Sequence, residues 1–160
     1  ERLAQTIVQV AGRAGRAERA GEVLIQTEYP EHPLLQQLIA GGYDAFATAA
    51  LAERRAARWP PYSRLAVLRA EAARREAPLA FLERARELAS SLATAEVEVL
   101  GPATAPMERR AGLYRAQLLL EAPTHSPLQR LLARWLPAVE ELPEARRVRW
   151  SIDVDPIELF

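Results

Sequence analysis

Residues 147–155 alternate without a break. Val148, Trp150, Ile152 and Val154 fall on one side, and Arg147, Arg149, Ser151, Asp153 and Asp155 on the other. A period of two predicts a strand with one covered and one polar face. The same alternation marks "GLYRAQLLLEA" at 112–122, where Tyr114, Ala116, Leu118 and Leu120 share a face. "SRLAVLRAEA" at 63–72 and "VEVLGPA" at 97–103 are two further strands. Between them the period changes to that of a helix. In 77–94 Phe81, Leu82, Ala85, Leu88 and Leu92 form one apolar side. In 126–142 Ser126 is the expected N-cap, Pro127 suits the first helical position, and Pro137 is a candidate kink. The order β-α-β-β-α-β is that of a ferredoxin-like α/β (α+β) domain. Its two helices should cover one sheet face and leave the other open.

The first part of the chain has a different pattern. Leu3, Ile7, Val8 and Val10 give a helix one apolar side, ended at Gly12–Gly15. "GEVLIQT" at 21–27 predicts a short strand, and "TEYPEHP" a turn-rich connector. A short helix at 34–40 should stop at Gly41–Gly42, and a long alanine-rich helix at 43–59 should stop at Pro60–Pro61. In that helix Phe46, Ala50 and Leu51 should face inward, with Arg54, Arg55 and Arg58 outward. The double proline sets the expected boundary between a first segment, 1–59, and a domain at 60–160. Trp59, Pro60, Pro61 and Tyr62 form a candidate apolar plug at this joint.

Composition narrows the chemistry. Apolar residues make up 49% and charged residues 26%, and 21 basic residues cancel 21 acidic ones. Attraction to nucleic acid must therefore be local. All the basic residues are arginine, with neither lysine nor asparagine present; the codon bias of a GC-rich genome accounts for most of them. Schiff-base chemistry and a phosphate-loop lysine are excluded within these residues. Without cysteine there is no disulfide or thiolate zinc site, and His32 and His125 are too far apart in sequence to form a ligand cluster. The absence of a long apolar run and of a signal peptide makes a cytoplasmic protein the default. The chain starts at Glu1 and its only methionine is Met107, so it is expected to be a piece of a longer protein.

"QVAGRAGR" at 9–16 carries the strongest chemical signal. Gln9, Arg13 and Arg16 stand at i, i+4 and i+7, one stripe on a helix, with Gly12 and Gly15 beside them. Glycines let another surface approach closely, and arginine forks can hold phosphate oxygens. Solvated arginines at a helix end are the plainer alternative. The stretch resembles the sixth conserved motif of superfamily 2 helicases. Its surroundings are similar to one family, the replication-restart primosomal helicases (PriA, primosomal protein N-prime). The likeness runs through "PEHPLL", "YDAF", "LAERR", "PPYSRLA" and "VLGPATAPMERRAGLYRAQLLLEA" to "RRVRWSIDVDPIELF".

The resemblance implies that 1–59 ends a second, RecA-like helicase lobe and that 60–160 is the C-terminal domain. Gln9, Gly12, Arg13 and Arg16 would then face ATP and Mg²⁺ bound mostly by an upstream lobe, with Arg16 as arginine finger and Arg13 as a γ-phosphate or interlobe contact. The nucleotide loop and the zinc sites would lie upstream, so this stretch should not hydrolyse ATP alone. The implied partners are branched and single-stranded DNA, other primosome proteins, and the acidic tail of single-stranded-DNA-binding protein. That tail would meet His125 and Gln129, with Arg130 adjacent; His125 stands where the family pattern has arginine.

On the open sheet face Arg69, Arg115, Gln117, Arg147 and Arg149 are candidate phosphate contacts, joined by Arg109 and Arg110 from an expected loop before the third strand. The alternative is a solvated face balanced by Asp153 and Asp155. A helicase-like binding module without ATPase activity is the second functional reading. A metal-dependent enzyme on Asp153 and Asp155 is a distant third, since two carboxylates at i and i+2, roughly 6.6 Å apart, more often make salt bridges, here expected across the domain junction.

Overall fold

The computed structural model describes residues 2–14 and 22–157. The chain divides into two compact units, Glu1–Arg58 and Trp59–Phe160.

In the first unit, helix α1 spans Arg2–Ala14 and helix α2 spans Pro33–Ala56. Ala4 of α1 meets Leu38 and Phe46 of α2 in a small core, with Ile7, Leu34, Tyr43 and Ala50 packed around it. His32 caps α2, its Nδ1 accepting from the Leu34 N–H at 3.3 Å. Gly42 leaves helical geometry at φ 69° and ψ −166°, dividing α2 where the glycine pair was expected to stop a helix. The helix ends at Ala56, short of the expected 59. Leu51 is exposed rather than inward-facing.

α1 reaches Ala14, within the expected stop at Gly12–Gly15. The strand expected in this unit does not form. Residues 22–27 join no sheet ladder. An extended segment becomes a strand only when a neighbour takes its N–H and C=O groups. Among the described residues of this unit no other segment is extended beside it.

The second unit begins at Trp59. Strand β1 (Arg64–Ala72) leads into helix α3 (Glu76–Leu92), then the hairpin of β2 (Glu98–Arg110) and β3 (Leu113–Ala122). Helix α4 (His125–Glu140), a 3-10 turn (Pro143–Arg147) and β4 (Arg149–Val154) complete it. The four strands form one sheet in the order β2-β3-β1-β4, all neighbours antiparallel. Each βαβ unit is thus split by a strand of the other, the ferredoxin-like arrangement.

Alternation decides the core. Ala66, Leu68 and Ala70 of β1 and Ala116, Leu118 and Leu120 of β3 pack under Phe81, Leu82, Ala85 and Ala89 of α3 and Leu128, Leu131, Leu132, Trp135 and Val139 of α4. Phe81 meets Trp150 of β4 with ring centroids 5.9 Å apart. Trp59, at 38% exposure, does not form a buried plug.

Three boundaries shift. Thr124 rather than Ser126 is the N-cap residue of α4, so Pro127 is third in the helix and not first. The 3-10 turn takes residues expected to open β4. β2 runs past 103 to Arg110, with irregularities between Leu100 and Ala103 and between Thr104 and Arg109. No helix among the described residues is long and apolar enough to cross a membrane.

Candidate nucleic-acid interface

Strand register builds the polar sheet face row by row. Glu71 of β1 lies between Arg115 of β3 and Arg149 of β4, and Arg69 lies between Gln117 and Ser151. Directly opposed residues point to the same side of a sheet. These two rows therefore line one shallow concavity of ≈ 290 Å³ on the face away from α3 and α4. The face is not polar throughout. Leu65 and Val67 belong to it as well and are buried, so the charged half lies toward the Glu71 end of β1.

The arginines differ in what they touch. Arg69 donates from Nη1 to Asp153 Oδ2 at 2.9 Å. Arg149 is 3.6 Å from Glu71 Oε1, and its side chain is 81% exposed. Arg115 is half-buried and has no carboxylate partner among the described residues. A guanidinium so placed is not held by Glu71, its neighbour in the row, and keeps donors that a phosphate oxygen can take.

Three of the candidates lie elsewhere than expected. Arg109 and Arg110 are on β2 itself, because the hairpin turn is only Ala111–Gly112, with φ 50° and 83°. Arg109 opposes Tyr114 and lies over its ring, 5.3 Å from the centroid. Tyr114 has the parity of the core-facing residues, so Arg109 turns away from the concavity. Arg110 opposes Leu113 and stays on the side of Arg115. Arg147 belongs to the 3-10 turn and lines a second concavity. Glu71 and Ser151 line the first concavity and were missed; their parity with Arg69 and Arg149 was the available signal.

The carboxylate pair is separated by its partners. Asp153 pairs with Arg69 inside the sheet, and Asp155 lies 3.6 Å from His125 Nδ1. Both contacts are within the second unit. Among the described residues no three His, Cys, Asp or Glu side chains cluster to hold a metal.

At the start of α4, His125 and Gln129 are one turn apart and exposed. Arg130 donates to Ser126 Oγ at 2.6 Å and reaches Glu96 at 3.4 Å. On α1, Gln9 and Arg13 are exposed, and a side chain at Gly12 would meet open space. Gly15 and Arg16 lie outside the described residues.

The topology defines a ferredoxin-like α+β domain, with two rows of charged side chains on the sheet face away from its helices. Residues 55–157 match the family model described as "Primosomal protein N C-terminal domain". The chain is 43% identical over 159 residues to the replication restart protein PriA of Haemophilus influenzae, covering 99% of this chain and 22% of that protein. It is 36% identical to the Synechocystis protein of the same name and 31% identical to that of Bacillus subtilis, covering 18% and 19% of them. The chain belongs to the PriA family and carries its C-terminal domain. It spans about a fifth of the length of these relatives.

Proposed function

We propose that this chain is the C-terminal part of an ATP-dependent DNA helicase or translocase that restarts replication at stalled forks, and that its ferredoxin-like domain holds branched or single-stranded DNA by the phosphate backbone. The observation that carries the reading is the half-buried Arg115, without an ion-pair partner among the described residues, in one row with the exposed Arg149. Overall neutrality argues that binding depends on this local field and not on bulk charge. Among the described residues the face has no exposed aromatic pair for stacking bases, so contact is with phosphate and largely independent of sequence.

In the intact parent, Gln9 and Arg13 present one side of α1, beside the bare backbone of Gly12, to a nucleotide bound mainly by another lobe. ATP with Mg²⁺ supplies the γ-phosphoryl group whose hydrolysis drives movement. Arg16 would stabilise the charge that develops on that group. His125, Gln129 and Arg130 are the proposed contact for the carboxylate tail of single-stranded-DNA-binding protein, and other primosome proteins are further partners. Such a protein works in the bacterial cytoplasm on the nucleoid.

A fluorescence anisotropy titration of the 160-residue chain with a labelled dT15 strand tests the DNA reading. Arg115→Glu with Arg149→Glu should weaken binding at least tenfold, with a shallower dependence on salt. Unchanged affinity would remove the sheet face from the interface.

A further inference from the structure

The polar sheet face does not simply collect cations. Glu71 is the cross-strand neighbour of two arginines at once, Arg115 of β3 and Arg149 of β4. Neighbouring strands lie roughly 4.8 Å apart, so the two arginine backbones face each other across Glu71 at roughly 10 Å. All three residues line the same concavity, and among its described lining residues Glu71 is the one carboxylate. A phosphate that bridged Arg115 and Arg149 would take the middle of the row. The middle already holds an anion.

The two ion pairs of the face differ in kind. Arg69 and Asp153 are hydrogen-bonded at 2.9 Å. Arg149 and Glu71 approach only to 3.6 Å, longer than a hydrogen bond, with the Arg149 side chain 81% and the Glu71 side chain 33% exposed. Such a pair is weak and exchanges one anion for another at little cost.

We propose that Glu71 is a built-in competitor of the strand, a reading that rests on the proposed DNA contact. With no strand bound, Glu71 partners Arg149. A phosphate that settles on Arg115 and Arg149 displaces it, and the displaced carboxylate then stands against the phosphate as a like charge. It also gathers a cation from solution, which offsets one of the counterions that DNA releases. When the phosphate lifts, Glu71 returns to Arg149 and opposes rebinding. Glu71 thus shortens the life of the complex and sets how readily the site lets go of the strand.

The test uses the 160-residue chain and labelled dT15. Glu71→Gln keeps the shape and removes the charge. It should tighten binding about fivefold at low salt, the effect of two unit charges about 4 Å apart in water. The salt slope should steepen by roughly one ion. Stopped-flow mixing should place most of the gain in slower dissociation. Glu140→Gln, at the end of α4 on the other side of the sheet, makes the same change in net charge and should leave the affinity within about twofold. In an Arg149→Ala background the gain from Glu71→Gln should fall by more than half. Unchanged or weaker binding by Glu71→Gln, an equal gain from Glu140→Gln, a gain found wholly in association, or a gain undiminished by Arg149→Ala overturns the competitor and leaves the sheet-face reading standing. Titration with pyrophosphate, followed by the Nε–H resonances of Arg115 and Arg149, examines the exchange without DNA. Tighter pyrophosphate binding by Glu71→Gln supports the competitor even if the strand binds elsewhere; equal binding by the two proteins overturns it.

Discussion

Trp135 donates its indole N–H to the carbonyl oxygen of Ala85 at 2.8 Å, and both residues are fully buried. The bond fixes α4 against α3 in the middle of the layer that covers the sheet. A large aromatic there supplies most of its value as buried area and a smaller part as the polar contact. Trp135→Phe should destabilise the domain by about 1–3 kcal/mol, read as a lower urea midpoint at unchanged slope. The dT15 affinity of the folded variant should not change, because the bond lies on the face opposite the arginine rows.

Asp153 is the carboxylate that restrains Arg69. Asp153→Asn keeps the shape and removes the negative charge paired with Arg69. Binding to dT15 should tighten by about two- to fivefold in low salt, with a salt slope steeper by roughly one phosphate contact. A weaker complex would mean that the ion pair positions Arg69 for DNA.

The hairpin turn places Ala111 at φ 50°, a region that a side chain with Cβ adopts at a cost. Ala111→Gly should stabilise the domain by about 0.5–1 kcal/mol, and Gly112→Val should destabilise it by more than that. Thermal unfolding distinguishes the two. Arg109 and Arg110 sit beside this turn, so Gly112→Val should also disturb the hairpin tip that carries them.

In the intact parent, Arg16→Ala should abolish DNA-stimulated ATP hydrolysis and leave fork binding nearly intact. A wild-type parent without such hydrolysis would instead favour a binding module.

Arg86 binds Glu83 along α3, and its hydrogen bond, reinforced by its charge, holds the Glu83 carboxyl below its ordinary pKa. A depressed folded pKa contributes stability above the unfolded value and loses it as pH falls through the folded one. Arg86→Ala should therefore remove a small part of stability at neutral pH that is already absent in strong acid. The pair is at the surface, so the change should shrink further in salt.

The fold of the second unit was legible because each strand declares its two faces and each helix its apolar side. Ala66, Leu68 and Ala70 could be assigned to the core from parity alone, and so could Arg69 and Arg149 to the other face. What parity does not carry is where pairing ends. Arg147 continues the alternation of β4, yet Pro143 opens a 3-10 turn that removes it from the ladder. Arg109 and Arg110 read as loop because prolines and a glycine precede them; the strand persists across its irregularities, and a two-residue turn suffices. Residues 22–27 have strand composition without a partner, a long-range condition that no local pattern reports. Ion pairs such as Arg69–Asp153 were hidden for the same reason, since 84 residues separate the two along the chain.

The broken register of β2 has a further effect. An outer strand of 13 residues with a regular ladder would offer a template on which a second copy could build. The two slips in its pairing bend that rim and interrupt its row of spare amide and carbonyl groups. Copies of this domain can thus be crowded together without their sheets joining side to side.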